Sequence, residues 1–422
     1  MTPNERWTTI AVTVIILVIT APPAFAQSDT SRIDELERQA AAMLEQIAEL
    51  RAELEQAKEQ KATPDLQGLR AETVAARQAA QRAEAAASEW KDVTSVTHLS
   101  GYASAEFISP DNESSAFVVN FNPMFHFLYS DKILWEAELE FEVEENGDTE
   151  IGLEYSTVDV LLNDNLVLVA GKFLSPLGNF RQNLHPSWIN KLPSAPPGFG
   201  HDGAAPIAEI GMQLRGGVTV GNQSKITYSG YIGNGPKLEG EDGEIHAIET
   251  DGFAGNADDE FVFGGRFSLL PMPKLEIAVS GAFGDVAVVE NDGADISGDP
   301  TRDYTVFGFD ASFQVGAFDL RAEYISQDVD DQAMSVAPGG GEWETWYAQG
   351  AYKFGQAKWE GVVRFTDFDS PHADDDQEQW ALGINYLLTP SAMIKFAYES
   401  NKGEAGEPTD DDRWIAQIAY GY

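Results

Sequence analysis

The 422-residue chain contains no cysteine, which excludes disulfide cross-links, thiolate metal sites and thiol nucleophiles. Positive charge is scarce: 27 lysines and arginines stand against 69 aspartates and glutamates, a formal net charge of −42. Such a chain repels phosphate backbones, so nucleic acid is not expected as a partner. Apolar runs of the roughly 18 residues that a membrane helix needs are missing as well. The nearest, Ile10 to Ile19, is interrupted by Thr13 and stops at Pro22-Pro23. With Arg6 before it and Ala24-Phe25-Ala26 after it, it reads as a signal peptide over residues 1–26, cleaved before Gln27. There is no Gly-x-Ser-x-Gly elbow, no phosphate-cradling glycine loop before a helix, no histidine pair at i,i+4 and no EF-hand spacing. No enzyme activity, no cofactor and no metal are therefore expected.

What is present first is a heptad. Ile33, Leu36, Ala40, Met43, Ile47, Leu50, Leu54 and Ala57 recur at alternating spacings of three and four. Thr63-Pro64 breaks the run, and Leu66, Leu69, Thr73, Ala76, Ala80, Ala83, Ala87 and Trp90 resume it with a shallower, alanine-rich seam. One chain cannot bury such a stripe alone, so residues 27–92 read as a coiled coil, an oligomeric stalk. A solvated, partly helical linker is the plainer reading, and the heptads do not decide between two strands and three.

After Asp92 the period changes to two. From Ile133 to Glu144 one register reads Ile133, Trp135, Ala137, Leu139, Phe141, Val143 and the other Glu136, Glu138, Glu140, Glu142, Glu144. Alternate side chains of a strand face opposite sides, so this strand has an apolar face and an acidic face. Taken alone it also fits a soluble sheet with one solvated side. The rest of the chain decides. Sixteen alternating stretches follow one another between residues 97 and 422. Every second connection is tight, as at Ser130-Asp131, Asn163-Asp164, Gly316 and Gly355-Gln356, whereas 174–207, 235–259, 285–302, 327–342, 367–377 and 401–412 are long. Aromatics gather at strand ends: Tyr129, Trp135, Trp346, Tyr352, Phe354, Trp359, Trp380, Trp414 and Tyr422. The opposite faces carry charge, among them Glu323, Glu360, Lys395 and Glu399. Together these features predict an all-β fold, a 16-stranded antiparallel transmembrane β-barrel over 93–422 with a wet lumen, and the stalk and Tyr422 at its periplasmic end.

At this point residues 93–422 resemble the outer-membrane porins of Gram-negative bacteria, specifically the sixteen-stranded, trimeric type. Tyr422 resembles the terminal aromatic read by the barrel-assembly machinery. Ala170-Gly171-Lys172-Phe173-Leu174-Ser175-Pro176-Leu177-Gly178 is similar to the strand-to-loop passage of the phosphate-selective porin superfamily, and a coiled coil ahead of the barrel occurs in porin-like relatives. The resemblance implies an outer-membrane homotrimer surrounded by lipid and lipopolysaccharide. It also implies passive diffusion of small hydrophilic solutes. Alternatives are a porin specific for an anionic solute or siderophore, and a tether from the outer membrane to the cell wall through the coiled coil. The chain departs from phosphate channels in having no lysine cluster.

Candidate pore-lining residues are Glu136, Glu138, Glu140, Glu142, His126, Arg215, Arg266, Arg321 and Arg364. The segment 174–207 is aperiodic, proline-rich and slightly basic, and loops of this length are usually functional. In trimeric porins the third long loop folds inward, and this one is third in order. Arg181, His185, Lys191, His201 and Asp202 are accordingly expected at a constriction; a loop packed over the mouth is the alternative. With bases on the loop and a glutamate ladder on the wall, the pore is expected to prefer cations. The barrel region carries 17 bases and 54 acids. Its acidic loops suit a cation-attracting vestibule, divalent bridges to lipopolysaccharide phosphates, or a saline habitat equally well.

Overall fold

A computed structural model describes residues 95–143, 147–200, 203–256, 258–372 and 374–422. The expected signal peptide and coiled coil lie outside the described residues, as do Glu144, His201 and Asp202. The strands are β1 (Ser95–Pro110), β2 (Ala116–Tyr129), β3 (Ile133–Val143), β4 (Thr149–Asn163), β5 (Leu166–Leu174), β6 (Ala208–Val220), β7 (Ser224–Gly233), β8 (Lys237–Glu241), β9 (Glu244–Glu249) and β10 (Val262–Met272). They continue with β11 (Leu275–Val286), β12 (Val288–Asn291), β13 (Ala294–Asp295), β14 (Arg302–Val315), β15 (Phe318–Val329), β16 (Gly341–Phe354), β17 (Trp359–Asp369), β18 (Gln377–Thr389), β19 (Ala392–Lys402) and β20 (Arg413–Gly421).

Sixteen of them close into one barrel, β1-β2-β3-β4-β5-β6-β7-β10-β11-β14-β15-β16-β17-β18-β19-β20. Closure is made by β1 against β20, antiparallel from Tyr102 opposite Gly421 to Pro110 opposite Arg413. The tight turns are built by the expected residues. Ser130 and Asp131 both take positive φ, +53° and +52°. Two successive left-handed residues give the turn a twist that matches the flanking strands, and the Lys132 N–H closes it on the Tyr129 carbonyl at 3.1 Å.

The outer face is apolar. Phe117, Phe125 and Phe127 on β2, Phe307 and Phe309 on β14, and Leu382 and Ile384 on β18 are all exposed on the monomer. Every aromatic expected at a strand end is exposed too. Leaving one large apolar side chain in water forgoes about 1.5–3 kcal/mol, so a continuous girdle of them fits hydrocarbon and not water.

The long connections 235–259 and 285–302 carry strands in addition to the sixteen expected: β8, β9, β12 and β13 form a second sheet, ordered β13-β12-β8-β9, with β12 parallel to β8. Leu238, Ile245, Ile248 and Val288 are buried there, an alternation hidden in sequence by the surrounding acids. The lumen, expected to be wet, is not uniformly so. Leu177, Phe180 and Phe199 of the long loop pack with Ile325, Trp343 and Tyr347 of the wall in one apolar cluster.

Phe309 lies midway along β14 on the outer face. Phe309→Arg is expected to lower barrel stability in vesicles by about 2–4 kcal/mol, the cost of a basic side chain at the bilayer midplane. Denaturant titration of the vesicle-inserted protein measures it.

Candidate functional site

The long loop leaves β5 at Leu174 and returns at Ala208, its neck closed by the Ser175 N–H donating to the Ile207 carbonyl at 2.8 Å. Gly178 takes a φ of +77°, and a Cβ there would lie 2.0 Å from Glu323 Oε1, so the position demands glycine. The Glu323 carboxylate accepts the N–H groups of Asn179 (2.7 Å) and Phe180 (3.0 Å), while Gly178 N–H donates to Ser280 Oγ at 3.1 Å. A single π-helical turn, Phe180–Leu184, follows. One residue into it, the Arg181 guanidinium reaches Glu154 on β4 at 3.2 Å. In ring order β4 is fourth and β15, which carries Glu323, is eleventh. A segment that touches both walls within three residues crosses the lumen.

Glu154 is placed by a β-bulge. The β3–β4 register steps from Glu138 opposite Tyr155 to Leu139 opposite Leu153, leaving Glu154 as the extra residue. Below the bulge, Val158 is on the outer face and Asp159 is buried inward. Above it, Ile151 and Leu153 are outward. The inserted residue switches the parity and adds an inward carboxylate where the loop arrives.

The far half of the loop is clamped to the wall by polar side chains. Lys395 donates to the Ser187 carbonyl at 2.5 Å and the Leu192 carbonyl at 3.2 Å. Asn385 donates to the Lys191 carbonyl at 2.8 Å, Arg364 to the carbonyls of Ser194 and Ala195 at 3.1 Å, and Thr345 to the Pro197 carbonyl at 2.9 Å. Ser194 Oγ donates to Glu399.

The residues singled out from sequence divide accordingly. Arg181 pairs with Glu154, and Lys191 pairs with Glu360 (2.7 Å) and Asp319 (3.5 Å). The loop bases are thus anchors, not free charges opposing a wall. His185 stacks edge-on to Tyr102, 3.9 Å from Glu154; burial and then the Arg181 guanidinium push its imidazole down to about 4, so it stays neutral near pH 7. Arg364 is 1 % exposed beneath the loop and does not meet open water. Glu138 is 0 % exposed, beside Tyr102, and does not meet open water either. Glu140 and Glu142 do line open space, as does Glu136, which lies 3.4 Å from His126 and 3.9 Å from Arg215.

Across from Gln182 and Asn183 of the loop, Arg215, Arg266 and Arg321 form an arc around two further openings. Arg215 pairs with Asp159 at 2.5 Å, Arg266 with Asp310 at 2.7 Å and Glu276 at 3.0 Å, and Arg321 with Asp319 at 2.9 Å. Glu154, Glu323 and Lys395 as loop anchors escape sequence reasoning. Only the parity change between Leu153 and Val158 signals the first of them.

The family described as Gram-negative porin matches residues 71–422. Among solved structures, the chain is similar to a loop-deletion mutant of OmpT, an outer membrane protein of Vibrio cholerae, at 12% identity and a TM-score of 0.53, covering 78% of this chain and 100% of that one. It is similar to the anion-selective porin of Comamonas acidovorans at 13% identity and a TM-score of 0.52, again covering 78% and 100%. A trimer form of in-vitro folded OmpT from V. cholerae gives 12% identity, a TM-score of 0.51 and coverage of 78% and 100%. No curated protein matches the sequence. At these identities the structural likeness concerns the fold.

Lys395→Met should release the loop without unfolding the barrel. It leaves two buried carbonyls unpaired, at about 1–3 kcal/mol each. Trypsin is expected to cut after Lys191 in the variant and to spare that bond in the parent, as read by mass spectrometry.

Proposed function

The chain belongs to the Gram-negative porin family, and from that premise we propose that this outer-membrane porin is a passive diffusion channel for small hydrophilic solutes with a preference for cations. The observation that carries the preference is the disposition of charge. Glu140 and Glu142 line the lumen and make none of the ion pairs found among the described residues. Each arginine of the arc is held by acids: Arg215, Arg266 and Arg321 face Asp159, Glu136, Asp310, Glu276 and Asp319. Three cationic groups against five anionic ones leave even that wall negative.

A unit charge about 8 Å from a passing ion in water is felt at roughly 0.5 kcal/mol. Two such carboxylates sum to about 1 kcal/mol before salt screens them, which gives a preference of several-fold and not exclusion. Glu140→Gln with Glu142→Gln should move the reversal potential in a salt gradient toward the non-selective value, more at low salt than at high. An anion-selective parent protein would instead favour the second reading, a channel for anionic solutes governed by Arg215, Arg266 and Arg321. The arc is the observation that supports that alternative, and a protein of this fold is described as an anion-selective porin.

A homotrimer is part of the proposal. It is supported by the trimer form of a protein with the same fold and by the heptads of residues 27–92. The heptad segment would stand in the periplasm, where contact with the cell wall is open to it; lipopolysaccharide would surround the acidic outer loops. Deleting residues 27–90 is expected to leave an inserted barrel, because the two regions have separate periodicities. Failure of the truncated chain to insert into vesicles would make the heptad segment part of the fold.

A further inference from the structure

The inserted loop divides the lumen, and the side away from the arginine arc holds a space of about 270 Å³ between the loop and strands β1, β2, β3, β4 and β20. Its charge is one-sided. Glu106, Glu140 and Glu142 line it, and the one lining guanidinium, Arg181, is already engaged by Glu154.

A second, independent feature points to a ligand. Asn122 lines the space beside Glu140 and is 1 % exposed, and its Oδ1 completes no hydrogen bond. Asn120 Oδ1, Gln417 Oε1 and Ser187 Oγ, around the same space, are buried and unpartnered as well. Folded proteins leave few buried polar groups unpaired, because each costs about 1–3 kcal/mol. Several gathered on one polar cavity are open to an occupant that supplies their hydrogen bonds.

The unpaired atoms are mostly oxygens, so the occupant must chiefly donate. Among the described residues no group of three or more histidine, aspartate or glutamate side chains is arranged to hold a metal ion. A primary ammonium offers three donors, no acceptor and a compact positive charge. We propose that this chamber binds a small organic cation bearing a primary ammonium, held between the Asn122 amide and the Glu140 and Glu142 carboxylates. The proposal deepens the channel reading and rests on it only in that solutes reach the lumen.

Calorimetric titration of the detergent-solubilised full chain with 1,4-diaminobutane tests it. Saturable binding is expected, weakened at least tenfold by Asn122→Leu and by Glu142→Gln, with circular dichroism melting confirming that each variant barrel is folded. Magnesium at matched ionic strength should not displace the diamine, and glucose should not bind. Absence of saturable binding, an unchanged Asn122→Leu, or displacement by magnesium in proportion to its charge would overturn the site in favour of a diffuse counter-ion atmosphere. Conductance in planar bilayers separates the two claims. Current without diamine binding refutes the chamber and leaves the channel; diamine binding by a protein that passes no current refutes the channel and leaves the chamber.

Discussion

In hydrocarbon, each backbone N–H and C=O must find its partner within the protein, and this constraint governs the structure. A flat sheet would leave two unpaired edges, so the sixteen strands close through β1 and β20. Closure gives the sheet an inside and an outside, and the two-residue side-chain period of a strand assigns each residue to one of them. A single inserted residue then has large consequences. At Glu154 the bulge exchanges the faces of β4, so that Ile151 and Leu153 above it and Val158 below it all meet the lipid.

The same constraint reaches into the lumen. The loop after β5 has few regular backbone hydrogen bonds of its own, and much of it is buried. Its peptide groups must be paired by something other than a neighbouring strand. Wall side chains take that part: Glu323 receives N–H groups, and Lys395, Asn385, Arg364 and Thr345 donate to carbonyls. Buried ion pairs such as Lys191 with Glu360 add little net stability, because desolvation offsets their attraction. Breaking one is costly, since it strands a charge, and for that reason such pairs hold the loop in one position.

The barrel was legible in the sequence because its signals are local. Alternation along Ile133–Val143, the tight turn at Ser130-Asp131 and the aromatics at strand ends can each be read within a dozen residues, and the strands fall where those signals put them. The site was legible only as a set of faces. Which inward charges meet water depends on contacts between distant positions, such as Lys191 with Glu360 and Arg364 with Ser194, separated by 169 and 170 residues. Arg364 and Glu138 have the alternation of lumen residues, but both are buried, Arg364 beneath the docked loop. The small sheet of β8, β9, β12 and β13 escaped for another reason: strands of two to six residues in acid-rich loops are too short for their alternation to stand out.

Docking the loop therefore has an electrostatic consequence for the open space. Beside the apolar patch of Ile325, Trp343 and Tyr347, the wall beneath the loop carries polar side chains on its inward register. Those polar groups are consumed in holding the loop: Arg364 and Lys395 by carbonyls, Glu323 by N–H groups, Glu360 by Lys191. The loop bases are consumed in turn. The open space is then lined by the charge left over on the uncovered wall, where Glu140 and Glu142 make none of the ion pairs found among the described residues and the arginine arc is outnumbered by its own carboxylates. The field of the lumen is set less by how many charges the strands carry than by which of them the loop leaves unspent.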